Sequence, residues 1–263
     1  MADSDVYGAE FAGLYDLFHE SKPYRAEARF IRNQTDALRG SKGKTLRLLD
    51  LACGTGTHAI EFSKLRFDVT GVDRAEGMLA LARRKARAAK RVIRFEQQDL
   101  SRLSFRGERW DVVTCLFDSI GYLLTDARIT SAVQRMARVL EPGGLLFIEA
   151  WHAPAMLSGF DSLRVRRVRG AGLEGVRIGE TRLLPDRNAA EVRYEVFSRK
   201  ASGPWRHFYE THVNRFFTVT EIARLIEAGG FRIVKTLGGF ADPSPATNDA
   251  WHLVIIAEQL KGS

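Results

Sequence analysis

Cysteine is scarce in this 263-residue chain: there are two, Cys53 and Cys115, far apart and outside any CxxC or Cys/His spacing. A disulfide framework or a metal site is therefore not expected, and both thiols read as buried and reduced, as in a cytoplasmic protein. Long apolar runs are missing as well, and no stretch approaches the ~20 residues that a membrane span needs. The opening MADSDVYGAEF carries acids and no basic-then-apolar stretch, which argues against a secretory leader. There is no internal repeat, no low-complexity linker and no signature of base-stacking aromatics, so neither nucleic acid nor membrane is an expected partner. The net charge of +8 is scattered, with clusters at RRKARAAKR (83–91) and RVRRVR (164–169). Both clusters read as solvated faces, with attraction of an anionic substrate as the alternative.

What is present is ordinary in bulk and ordered in pattern. Apolar residues make up 45% and charged residues 27%, enough to bury the core of one large domain. From residue 46, short β-type runs alternate with helical periods. LRLLDLA (46–52), FDVTGVD (67–73), VIRFEQQD (92–99), WDVVTCLF (110–117) and LLFIEAW (145–151) read as strands. THAIEFSKL (57–65), AEGMLALARRKARAA (75–89) and ARITSAVQRMARVL (127–140) read as helices, the last closed by EPGG. That order predicts an α/β fold: a Rossmann-like, seven-stranded, mostly parallel sheet with helices on both faces. After Trp151 the residues alternate polar and apolar, which predicts an inserted antiparallel β meander of three or four strands. The expected layout is a helical cap over 1–45, the core over 46–155 and the β lobe over 156–217. A helix and the last two core strands would follow over 218–263, with Thr220 as the helix N-cap and Gly229–Gly230 as its stop.

The turn LLDLACGTGTH places Gly54 and Gly56 between a strand and a helix, which formally satisfies a dinucleotide fingerprint. Asp50 argues against that ligand. Pyrophosphate at a helix N-terminus needs donors and positive potential, whereas a carboxylate ~4 Å away would oppose it by about 4 kcal/mol at an effective dielectric near 20. The same acid attracts an ammonium and a sulfonium, the charges of S-adenosylmethionine, and Gly54 and Gly56 would let its amino-acid end approach the backbone. Asp73 ends the second strand and can accept from both ribose hydroxyls. Asp99 ends the third and can accept from the adenine amine, with Leu100 against the ring. Three acids at the carboxyl ends of successive strands form one ligand-facing edge. An NAD-dependent oxidoreductase and a non-catalytic cofactor sensor are the readings from other classes.

LLDLACGTGTH, VTGVDRAEGMLALAR, EQQDL and LEPGGLLFIEAW, in this order and spacing, resemble the motifs of class I S-adenosylmethionine-dependent methyltransferases. LYDLFHESKPY, CLFDSIGYL, IEAWHAP and WRHFYETHV extend the resemblance to bacterial nucleotide-amino-sugar N,N-dimethyltransferases of the desosamine type. The resemblance implies methyl transfer to a small-molecule acceptor, an amine first and an oxygen as the alternative, and makes a homodimer reasonable. The expected cofactor site is Asp50, Ala52, Cys53, Gly54, Gly56, Thr57, His58, Asp73, Arg74, Met78, Asp99, Leu100, Leu116 and Phe117. Tyr15, Tyr122 and Glu149 are the candidate catalytic groups, Glu149 as a partner for the amine. Tyr24, Ser119, Trp151, His152, Arg206 and His207 are candidate acceptor contacts, and Asp118 shares the loop that meets the acceptor. Strand parity places His207 and Tyr209 on one face and His212 on the other, against a His207/His212 metal pair. The segment GGFADPSPATNDAW (238–251) lacks the arginine that the resemblance implies near a sugar nucleotide.

Overall fold

The computed structural model describes residues 9–170, 172–241 and 244–260; the acid-rich opening at 1–8 lies outside them. Strands β1 (Leu46–Leu51), β2 (Phe67–Asp73), β3 (Arg94–Gln97), β4 (Trp110–Cys115) and β5 (Leu140–Trp151) run parallel. Two later strands, β10 (Phe231–Leu237) and β11 (His252–Gln259), complete a seven-stranded sheet of order β10-β11-β5-β4-β1-β2-β3. Strand β11 is antiparallel to both neighbours. The predicted α/β class is the observed one.

The side-chain period of two assigns each strand residue to a layer. In β1, Leu48 packs with α2 (Tyr24–Arg39), α3 (Thr57–Lys64) and α4 (Glu76–Ala88) on one face. Leu49, one residue on, packs with α5 (Asp126–Val139) and α7 (Val219–Ala228) on the other. Burial on both faces is why β1 and β2 read as near-continuous apolar runs. Strand order reverses at β1, whose neighbours are β2 and β4, and a crevice opens at the carboxyl ends there.

The second sheet is the expected meander, four antiparallel strands in sequence order: β6 (Leu163–Gly170), β7 (Leu173–Leu184), β8 (Ala189–Lys200) and β9 (Arg206–Arg215). Helix α1 (Ala9–Phe18) lies between the two sheets. Phe11, Leu14 and Phe18 pack on Val196 of the second sheet, while Asp16 accepts from Thr55 Oγ1 at 2.6 Å and from Lys85 Nζ at 2.6 Å beside the glycine turn.

Three details differ from the sequence reading. EPGG does not separate α5 from β5: the strand begins at Leu140 and absorbs those residues as an irregularity, with Trp110 opposite Leu140 but Val112 opposite Leu145. A short helix, α6 (Ala153–Ser158), follows β5 where no element was expected. The N-cap of α7 is Thr218, not Thr220. Thr218 Oγ1 accepts from the Glu221 amide at 3.2 Å, and Phe217 before it shares a cluster with Ile222, as in a hydrophobic staple.

Candidate active site

The chain leaves β1 through a turn in which Ala52, Gly54 and Gly56 take positive φ of 51°, 54° and 73°. A cavity of about 1040 Å³ opens on this turn. Its wall includes Asp50, Ala52, Cys53, Gly54, Thr57, His58, Asp73, Arg74, Met78, Asp99, Leu100, Leu116 and Phe117, the expected cofactor set apart from Gly56. Tyr15, Tyr24, Ser119 and Tyr122 also line it, as do Leu51, Thr55, Leu123 and Arg128, which were not among the expected residues.

Gly56 serves a different purpose from the one expected. A Cβ there would stand 2.9 Å from Ala82 Cβ and 3.1 Å from Phe95, so its bareness lets α3 start against α4 rather than admitting a ligand. Gly54 has open space at that position. Its amide donates to Asp73 Oδ2 at 2.8 Å, and the Ala75 amide donates to Asp73 Oδ1 at 2.9 Å. Asp73 thus braces both strand ends, and each of its oxygens retains accepting capacity. Asp99 caps the short turn after it through Oδ1, which accepts from the Ser101 amide and hydroxyl, leaving Oδ2. Burial alone would raise the Asp99 pKa, but the Ser101 bonds outweigh it and hold the carboxyl below its ordinary value.

Asp50 is the anomaly of the site. Thr114, opposite it on β4, donates to Oδ1 at 2.7 Å, while Oδ2 is buried without any partner. Burial pushes its pKa up to about 6, with nearby His58 and the Thr114 bond opposing. A buried carboxylate oxygen with no donor is costly unless a cation or donor arrives. The donor set fits S-adenosylmethionine: an orphaned acid for the ammonium, a second acid beyond the turn for the ribose, and a third for the adenine edge. Both thiols at this end are buried and free, and burial holds them protonated by raising their pKa.

Glu149 is not available to an amine. It is buried; Oε2 accepts from the Phe117 amide at 2.6 Å and lies 3.7 Å from Lys22 Nζ, while Oε1 lies 3.7 Å from His252. The end of β5 is covered by Lys22 from the loop before α2 and by His252 from β11, coverage that strand parity cannot reveal. Phe117 and Asp118 both adopt positive φ, 54° and 60°, held by Glu149 and by His252, which approaches Asp118 Oδ1 at 3.1 Å. Lys22 also pairs with Glu27, whose other oxygen meets His58 Nε2 at 2.7 Å.

A second cavity of about 1300 Å³ opens between the second sheet and the ends of β5 and β11. Trp151, Trp251, Arg164, Arg166, Arg177, Tyr194 and His252 line it. His252 is held protonated at neutral pH: burial would lower its pKa, yet Asp118 and Glu149 raise it to about 9. Arg164 and Arg166 of the 164–169 cluster line this cavity, while Arg164 and Arg169 remain largely exposed, as the expected solvated face requires. The cue was the R-x-R alternation on a strand. Trp151, a candidate acceptor contact, lies on the wall of this cavity. His152 does not: it is buried, and Nδ1 lies 3.0 Å from the Ala250 carbonyl. Arg206 and His207 also fall outside both cavities, because both are exposed at the start of β9. His207 stacks on Phe197 and pairs with Glu195, which Tyr209 also contacts, as the expected parity requires.

Known proteins match this arrangement. A family profile described as a methyltransferase domain matches residues 48–144. The dTDP-3-amino-3,4,6-trideoxy-alpha-D-glucopyranose N,N-dimethyltransferase of Streptomyces venezuelae is 33% identical over 89% of this chain and 95% of its own. The dTDP-3-amino-3,6-dideoxy-alpha-D-glucopyranose N,N-dimethyltransferase of Streptomyces fradiae is 31% identical over 89% and 88%. Among solved structures, the S-adenosylmethionine-bound amino pentose methyltransferase of Micromonospora echinaspora is 26% identical, with a TM-score of 0.72 over 97% of this chain and 99% of that one.

Proposed function

Because the chain belongs to the S-adenosylmethionine-dependent methyltransferases, we propose that its acceptor is the amine of a nucleotide-linked amino sugar. The observation that carries this reading is the second cavity, whose three arginines and charged His252 suit a diphosphate and whose two tryptophans suit a base. It adjoins the first through Asp118, which contacts His252 on one wall and is flanked by Phe117 and Ser119 on the other.

S-adenosylmethionine supplies an electrophilic methyl group on a cationic sulfur. Asp50 would hold its ammonium, Asp73 its ribose and Asp99 its adenine amine. Tyr15, Tyr24 and Phe117 would exclude water, and Ser119 and Tyr122 would face the incoming nitrogen. The protein's task is then alignment, from which effective molarities of ~10^5–10^8 M are available. Methyl transfer to oxygen uses the same donor site and is the alternative. We also infer a homodimer through the exposed β9 edge, which light scattering tests, and a cytoplasmic location. No helix among the described residues is long and apolar enough to cross a membrane.

Incubation with S-adenosylmethionine and a thymidine-diphosphate amino sugar should give a product heavier by one or two methyls, with fragmentation placing them on nitrogen. Methylation of a hydroxyl only would favour the alternative. Failure of S-adenosylhomocysteine to bind in calorimetry would remove the reading altogether.

A further inference from the structure

Tyr122 does not stand alone on the cavity wall. Its hydroxyl lies 2.9 Å from Nδ1 of His212, and Nε2 of that imidazole lies 3.1 Å from Oε2 of Glu210. His212 and Glu210 are buried, at 4% and 8% exposure, so this chain runs from the cavity into the protein away from solvent. It joins two distant segments. Tyr122 belongs to the short turn after β4, and the other two stand two residues apart on the inner face of β9.

The hydrogen positions follow from the acceptors. A carboxylate can only accept, so His212 Nε2 carries the hydrogen donated to Glu210. Nδ1 of the neutral ring is then the acceptor, and the Tyr122 hydroxyl donates to it. Among the described residues two aromatic rings also face the imidazole: Tyr194 from β8, with ring centroids 5.2 Å apart, and Phe11 from α1, at 6.2 Å. Beyond Tyr194, the Arg177 guanidinium from β7 stacks on that ring at 4.5 Å. Glu210 is therefore the one carboxylate seen in direct contact with the imidazole among the described residues.

We propose that Tyr122, His212 and Glu210 form a proton relay that takes the proton released when the acceptor nitrogen is methylated. This rests on the amine reading above. Formation of the new N–C bond leaves the nitrogen cationic, with one N–H proton to lose for each methyl gained. That proton passes to Tyr122 Oη as the Tyr122 hydroxyl proton passes to His212 Nδ1. The nitrogen keeps its lone pair for a second methylation, Tyr122 ends as a neutral phenol, and His212 ends as an imidazolium beside the Glu210 carboxylate. Tyr122 would be the catalytic residue. His212 and Glu210 act through it as positioning residues.

The test begins with the wild-type enzyme on a thymidine-diphosphate amino sugar; absence of amine methylation there sinks the functional reading itself. Given turnover, His212→Gln keeps a hydrogen-bonding side chain but cannot take the proton. It should lower kcat by about 10- to 100-fold and leave S-adenosylhomocysteine affinity unchanged. Glu210→Gln, which keeps the side chain's shape but removes its charge, should lower kcat about tenfold and leave S-adenosylhomocysteine affinity unchanged. Tyr122→Phe should cost about as much as His212→Gln, and the double variant little more. Independently of turnover, nitrogen NMR of the free protein should show His212 with a bare Nδ1 whose resonance shifts in Tyr122→Phe. An Nδ1-protonated ring, or undiminished kcat in Glu210→Gln, overturns the relay. The latter two variants carry the test if His212→Gln does not fold.

Discussion

At Asp50 one carboxylate oxygen is bonded and the other is not, and the two halves of that residue serve different ends. Thr114 orients the group from the neighbouring strand, while Oδ2 is buried with no donor among the described residues. The folded-state pKa of about 6 lies above the ordinary aspartate value, so folding favours the protonated form. The cost is absent below about pH 4, develops as pH rises toward 6, and is fully present above it. A shift of this size corresponds to about 3 kcal/mol at most. Asp50→Asn should therefore raise the melting temperature of the ligand-free protein at pH 7.5 and leave it unchanged near pH 4, as scanning calorimetry would register. The same variant should weaken S-adenosylmethionine binding by about 100-fold, the worth of a buried charge-assisted bond. In the wild type, donor affinity should be flat above pH 7 and fall about fivefold from pH 6 to pH 5, with titration calorimetry as the readout.

At the level of elements, the crevice depends on how closely α3 and α4 approach. Gly56 sits at the N-cap of α3 with φ 73°, and its missing Cβ is the space that Ala82 fills. Gly56→Ala combines an unfavourable backbone region with an overpacked contact and should cost about 2 kcal/mol in urea denaturation. Donor binding should weaken with it, because the Gly54 amide that grips Asp73 lies two residues away. Helix α1 adds a second constraint, tied to the same turn through Asp16, Thr55 and Lys85. Sequence periodicity found α3, α4 and nearly every strand, because their apolar spacing is local. It misplaced the start of α7 by two residues and overlooked α6, whose first amide donates to the carbonyl of Phe217, far away in the chain.

Across the whole molecule, the two sheets face each other over the second cavity, and the basic residues there come from β6 and β7 rather than from the carboxyl-terminal segment where an arginine was expected. Arg166 also contacts Ser21 near α1, and Arg177 stacks on Phe18 and Tyr194. Arg166→Ala and Arg177→Ala should each raise the KM for a diphosphate-bearing acceptor about tenfold, leave S-adenosylhomocysteine affinity unchanged, and reduce the sensitivity of KM to salt. Steady-state kinetics at two ionic strengths would check this. An unchanged KM would assign the cavity to another ligand.

The donor half of the site was legible in the residues because it is built from strand ends, and the chemistry at a strand end follows from neighbouring residues in the chain. Asp50, Asp73 and Asp99 could be placed on one edge with no knowledge of packing, and the class of fold came with them. Glu149, His152, Arg206 and His207 were misjudged for the complementary reason: whether a strand-end side chain meets a ligand, a lysine or solvent depends on which other element covers it. Tertiary structure alone closed Glu149 behind Lys22 and His252, placed Arg164 and Arg166 on the wall of the second cavity, and brought His212 to Tyr122 across 90 residues. Local pattern determines what a strand presents, and long-range packing decides what it is presented to.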